Sequence, residues 1–141
     1  MRRKLKGLFV VTLGVVMIIA LVGCFAPQQD QNDQLPVNNP PSKPFNPSPA
    51  HEATGVSRAT KLSWECSDPD GDTLTYDVYL VKGPFELTCV ASGCTTTTYD
   101  PPTVLDPLST YYWKVVAKDG RGKVTEGDVW SFTTGCCPNS K

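Results

Sequence analysis

The chain reads as an all-β protein, an antiparallel sandwich of short strands, and three observations lead there. Apolar and polar residues alternate over segment after segment from residue 50 to residue 134. Turn-forming clusters recur about every ten residues, and no convincing helical pattern interrupts the period-two alternation. Strands are expected at 55–58, 59–66, 74–82, 86–91, 95–99, 110–118 and 128–134.

Each strand has its own signal. The short strand at 55–58 leads into 59–66, where Leu62, Trp64 and Cys66 alternate; Leu74, Tyr76, Val78 and Leu80 do the same in the next. The pair at 86–91 and 95–99 flanks an Ala-Ser-Gly turn. Tyr111, Trp113, Val115 and Ala117 mark the sixth strand, and Trp130 with Phe132 the last. "DPDGD", "KGP", "DPP", "LDP" and "KDGRG" supply the remaining breaks, through residues that preset or permit turn dihedrals. Seven strands in under about a hundred residues is the immunoglobulin-like format.

On two stretches the pattern becomes more specific. "LDPLSTYYWKVVAKDGRG" resembles the sixth strand of a fibronectin type III domain, with Leu105, Pro107, Tyr111, Val115 and Ala117 on the family's positions. The resemblance implies that Tyr111 is a corner tyrosine, its ring buried and its hydroxyl bonded to the preceding loop. "KLSWECSDPDGDTLTYDVYL" resembles the second and third strands, and implies Trp64 as the core indole with Tyr76 and Val78 facing it. It spans roughly residues 43–134 and speaks to fold, not to function.

The N-terminal segment reads as an export signal. A basic run holding Arg2, Arg3, Lys4 and Lys6 precedes an apolar stretch from Leu8 to Val22, and "LVGC" follows. Leu21, Val22, Gly23 and Cys24 resemble a bacterial lipobox, which implies cleavage before Cys24 and lipidation of its thiol with diacylglycerol, with further acylation (palmitate) on the freed amine. An uncleaved signal anchor is the alternative. Both place the rest of the chain on the extracytoplasmic side, in the cell envelope.

Residues 24–42 form a Pro/Gln/Asn-rich linker, with too few apolar side chains to offset the entropy of ordering. Its proline-rich half favours extended backbone and suits a spacer. The expected organisation is a signal peptide at 1–23, linker at 24–42, sandwich at 43–135 and tail at 136–141. Beyond Gly23 nine basic and fourteen acidic residues leave a net charge near −5, without the basic stripe that tracks phosphates, so nucleic acid is not an expected partner.

Three groups of residues carry the candidate chemistry. Asp68, Asp70 and Asp72 alternate around Pro69 and Gly71. They offer hard oxygen ligands for Ca2+, but an EF-hand register fails because Gly71 sits at the fourth place and Tyr79 at the twelfth; a tight turn is the competing reading. Glu65 is a possible extra ligand. With Cys24 set aside, Cys66, Cys89, Cys94, Cys136 and Cys137 remain, an odd number for an oxidising compartment. Closure of Cys89 with Cys94 across the "ASG" turn is the first expectation, with Cys66 as a rival partner for either and a vicinal Cys136–Cys137 bond also open. Tyr79, Tyr112 and Phe85 fall out of phase with the core set, so they either stack a carbohydrate or merely cover the outer face.

Catalysis has little support. The single histidine, His51, lies beside Glu52 at the linker boundary, and the chain has no nucleophile elbow, His-rich metal motif or phosphate-binding glycine loop. The expected function is therefore a membrane-anchored lipoprotein carrying a non-catalytic binding, adhesion or scaffolding domain. A carbohydrate-binding module, a calcium-dependent adhesin and a structural spacer are the alternatives, with a protein or a glycan as partner.

Overall fold

The computed structural model describes residues 36–136, and these hold nine strands and no helix. They are β1 (Phe45–Ser48), β2 (Ala53–Val56), β3 (Leu62–Glu65), β4 (Leu74–Lys82), β5 (Thr88–Cys94), β6 (Thr98–Tyr99), β7 (Thr110–Asp119), β8 (Val124–Glu126) and β9 (Trp130–Thr134). One sheet has the order β1-β3-β6; the other runs β2-β9-β7-β4-β5, with β8 also paired to β7. Among the described residues no helix is long and apolar enough to cross a membrane. The signal segment and Leu21, Val22, Gly23 and Cys24 lie outside the described residues.

β4 and β7 form the spine, in register from Leu74 opposite Asp119 to Lys82 opposite Tyr111. Their period-two alternation sends Tyr76, Val78, Tyr111, Trp113, Val115 and Ala117 into the space between the sheets, where Leu62, Trp64, Trp130 and Phe132 meet them. Trp64 meets Tyr76 edge-on with ring centroids 5.4 Å apart, and Trp113 lies 4.7 Å from Trp130. Each such fully buried apolar side chain contributes on the order of 2 kcal/mol. Trp64 is the core indole, with Tyr76 and Val78 buried beside it.

Four parts of the sequence reading need correction. Residues 45–48 form a strand that the Asn-Pro and Ser-Pro pairs conceal. Proline tolerates an edge position, and β1 lies at the edge of its sheet before the chain crosses to β2, which pairs in parallel with β9. A short strand not expected from the sequence, β8, precedes the last one: β8 and β9 lie successively along β7 with Gly127 between them. Residues 38–42, assigned to the linker by composition, pack on the sandwich: the Ser42 N–H donates to the Ser67 carbonyl (2.8 Å) and Thr125 Oγ1 to the Pro41 carbonyl (2.7 Å).

The Ala-Ser-Gly turn is likewise absent. Cys89 and Cys94 both lie on β5, because two bulges let that strand run past Gly93, which takes a positive φ of 69°, without reversing. Cys89 is opposite Tyr79 and Cys94 opposite Tyr76, three β4 residues apart and on opposite faces of the sheet. That separation is about 10 Å, beyond the Cα distance a disulfide spans. Cys66, Cys89 and Cys94 are each unbridged. Cys66 is half-buried, and its Sγ donates to the Ser42 carbonyl at 3.2 Å. Cys137 lies outside the described residues.

Candidate functional site

At the pole where residue 38 joins the sandwich, two loops of the same design face each other. In the β3–β4 loop, Asp68 Oδ1 accepts the backbone N–H groups of Asp70 (2.9 Å) and Asp72 (3.1 Å). In the β7–β8 turn, Asp119 Oδ1 accepts those of Arg121 (2.9 Å) and Lys123 (2.8 Å). Each aspartate thus ties down the residues two and four places on, with a glycine three places on in the left-handed region, Gly71 at φ 76° and Gly122 at φ 93°. One oxygen of each carboxylate builds its turn, which leaves the second for other partners.

Both carboxylates lie close to that of Asp72. The carboxylates of Asp68, Asp72 and Asp119 each place an oxygen within 4.8 Å of the other two. At that spacing and an effective dielectric of about 20, each pair of ionised groups repels by about 3.5 kcal/mol. Arg121 is the cation nearest to them in the described ion pairs, its Nε 3.5 Å from Asp72 Oδ2. Burial pushes the Asp119 carboxyl upward, but the N–H of Lys123, the Asn38 amide and the N–H groups of Arg121 and Gly122 outweigh it and hold the group below the usual carboxylate range.

The incoming chain closes the site. Asn38 Nδ2 donates to Asp119 Oδ2 at 2.9 Å, while Asp70 turns away and accepts both the backbone N–H (2.6 Å) and the side-chain amide (3.0 Å) of Asn39. These two donors from Asn39 hold the Asp70 carboxyl below its ordinary value. Three side-chain oxygens at this pole are shielded from solvent, each exposing less than 1 Å², and accept no hydrogen bond: Asn38 Oδ1, Asp68 Oδ2 and Asp72 Oδ2. Buried acceptors without donors are uncommon in folded proteins and ask for a cause.

The structure therefore brings together two of the three aspartates picked from the sequence, Asp68 and Asp72, with Asp119 and Asn38 in place of Asp70. Glu65 is engaged elsewhere, accepting from Asn46 Nδ2 at 2.6 Å. Asp119 carried a legible signal: "DPDG" and "DGRG" share an Asp-x-x-Gly spacing at strand-to-strand turns. Asn38 carried none beyond its place in a polar stretch.

The other candidates are dispersed. Tyr79 and Tyr112 lie half-buried on the outer face of the larger sheet, and Lys114 sits over the Tyr79 ring with its Nζ 5.1 Å from the centroid. Lys114 is itself paired with Glu126. An open cleft of about 620 Å³ is lined by Asn46, Pro47, His51, Asp128 and Trp130 among others. There His51 Nδ1 accepts the Ser131 N–H (3.1 Å), and Asp128 pairs with Lys43 at 2.6 Å.

No known protein-family model matches the chain. Among solved structures it is similar to one described as "Myokine structure", at 17% identity and a TM-score of 0.51, covering 69% of this chain and 99% of that one. It is also similar to an Fn3-like protein from Clostridium thermocellum, at 21% identity and a TM-score of 0.48 over 73% of this chain and 99% of that one. A further similarity is to the fibronectin type III domain of human fibronectin type III domain containing protein 3, at 24% identity and a TM-score of 0.47 over 74% and 93%. The likeness is one of fold. The two-sheet strand order, together with a buried Tyr111 whose hydroxyl accepts from the preceding loop, makes the domain an immunoglobulin-like sandwich.

Proposed function

We propose that the chain is a lipid-anchored protein of the cell envelope whose sandwich is a non-catalytic contact domain. Cys24 carries the lipid, the proline-rich segment spaces the domain from the membrane, and the far pole meets a protein partner. Two or three acyl chains, at about 0.8 kcal/mol per buried CH2, suffice to hold a domain of this size on the membrane.

The observation that carries this reading is the polarity of the sandwich. Residue 38 joins beside Asp119, at the C-terminal end of β7, whereas Phe85 and Leu108 project at the other end, 76% and 73% exposed. Their loops adjoin: the Gly83 N–H donates to the Thr110 carbonyl (2.8 Å), and Lys82 pairs with Asp106 at 2.9 Å between them. Large apolar tips beside ionic pairs are the composition of a contact surface. Tyr79 is the weaker candidate for stacking a sugar, because Lys114 already covers its ring.

Intact mass of the membrane-extracted protein tests the anchor. The expected species begins at Cys24 and carries diacylglycerol, and Cys24→Ser shifts the protein out of the membrane fraction; an unprocessed N-terminus overturns the anchoring. A photo-crosslinking residue at position 85 or 108 is expected to capture an envelope protein that the same group at Thr125 does not, and equal capture from all three positions overturns the polar arrangement.

A further inference from the structure

We propose that Asn38, Asp68, Asp72 and Asp119 bind one calcium ion, which clasps the chain entering the domain to the two loops at that pole. The proposal is independent of the lipid anchor. It rests on three features of the pole that a purely structural acid cluster does not explain together.

The first is the division of labour within each carboxylate. Asp68 and Asp119 each satisfy their turn through Oδ1, so the turn does not require the second oxygen to face the opposite loop. Yet Asp68, Asp72 and Asp119 converge to within 4.8 Å. The second is the set of acceptors without a hydrogen-bond donor: Asn38 Oδ1, Asp68 Oδ2 and Asp72 Oδ2 are all closed to solvent, and of the three Asp72 Oδ2 faces the Arg121 Nε at 3.5 Å in an ion pair. Asn38 Oδ1 belongs to a neutral side chain. Since Nδ2 of the same amide touches Asp119 Oδ2, the amide oxygen lies within about 5 Å of that carboxylate. A bound cation would supply to Asn38 Oδ1 and Asp68 Oδ2 what no donor there supplies.

The third is charge. Three carboxylates against the one guanidinium of Arg121 leave two negative charges uncompensated, the complement of a divalent ion. The donor set contains oxygen alone, which selects a hard cation over zinc or copper. Between calcium and magnesium, carboxylates and an amide oxygen drawn from three separate segments suit the larger and geometrically tolerant ion, with water completing its six to eight ligands; magnesium demands a near-ideal octahedron. Asp70 is a positioning residue: by holding Asn39 it fixes the neighbouring Asn38. The ion would join residues 38, 68–72 and 119, so calcium sets the direction from which the chain enters the sandwich.

The test uses the full chain in detergent, stripped with EDTA and then titrated with calcium chloride by calorimetry, with melting followed by circular dichroism. The expected dissociation constant is about 10⁻⁴ to 10⁻³ M, the range of extracellular modules. Calcium at about fifty times that value raises Tm by roughly 10 °C, and magnesium at the same concentration gives less than about half the shift. Asp72→Asn and Asp68→Asn abolish both the heat and the shift, while Glu65→Gln keeps them. In EDTA, Asp72→Asn melts at or above the temperature of the parent, because it removes a like charge; a carboxylate serving only the fold gives the opposite sign. The proposal is overturned by equal Tm in EDTA and calcium with no heat of binding, or by a calcium shift that survives Asp68→Asn and Asp72→Asn together.

Discussion

The hydroxyl of Tyr111 accepts the backbone N–H of Asp106 at 3.0 Å, while its ring stacks on Phe132 with centroids 5.7 Å apart. One side chain thereby ties the loop before β7 to β9. Thr134 reinforces the corner, donating from Oγ1 to the Asp106 carbonyl at 2.6 Å. Tyr111→Phe keeps the ring and leaves the Asp106 N–H without its acceptor. Urea denaturation is expected to show a loss of about 1–2 kcal/mol with an unchanged m-value.

Asp77 governs the acid limb of stability. Burial opposes its charge, but Lys118, the Ser92 hydroxyl and the Gly93 N–H outweigh burial and hold its carboxyl below the usual carboxylate value of 3.8. A depressed carboxylate contributes stability that is complete above its unfolded value and is lost as pH falls below it through the folded value. Asp77→Asn is therefore expected to lower stability at neutral pH and to flatten the decline below about pH 4. Melting curves from pH 7 to pH 2 check both; a parallel acid limb in the variant contradicts the assignment.

The thiols separate by environment. Burial pushes the Cys66 thiol up from its ordinary value, against weaker lowering by hydrogen bonds from Ser42, Tyr76 and Ser67, whereas Cys89 is exposed on the outer face. Iodoacetamide near pH 8 is expected to alkylate Cys89 at least about tenfold faster than Cys66, because burial both raises the Cys66 thiol and limits access to it. Peptide mapping of the time course measures the ratio. Unreduced maps are expected to lack a Cys89–Cys94 peptide.

Gly127 marks the break between β8 and β9. Its N–H donates to the Val115 carbonyl at 2.8 Å, and a Cβ there would stand 2.8 Å from that same oxygen. Gly127→Ala must push β8 and β9 from β7, at an expected cost of about 1–3 kcal/mol. Gly55 meets nothing within 4 Å of an added Cβ, so Gly55→Ala bears only the strain of its positive φ, about 1 kcal/mol. Chemical denaturation of the two variants side by side distinguishes steric from conformational cost.

The fold was legible where a strand buries one face. β7 alternates cleanly because it lies inside a sheet whose inner side is closed and whose outer side is half-covered; β4 beside it follows the same pattern except at Asp77, which is buried on the outer side. β1 was hidden by its prolines, and β5 by an Ala-Ser-Gly sequence that reads as a turn but bends a continuing edge strand. The carboxylate cluster was half legible for a different reason. Asp68 and Asp72 are local, whereas Asp119 and Asn38 reach them only through the β4–β7 register and the path of the entering chain, which no short window of sequence contains. Turn and ligand are also not rivals, because a carboxylate has two oxygens and one of them suffices to build the turn.

The parallel pairing of β2 with β9 has a mechanical consequence. Ala53 lies opposite Phe132 and Val56 opposite Thr134, so the first strand of the larger sheet and the last run side by side in the same direction. Tension between residue 38 and residue 135 pulls these neighbours past each other along their length. Their hydrogen bonds are then loaded together in shear and not opened one at a time as in a zipper. Were the domain tethered at its head and gripped at its far end, this pairing would resist extension along that axis.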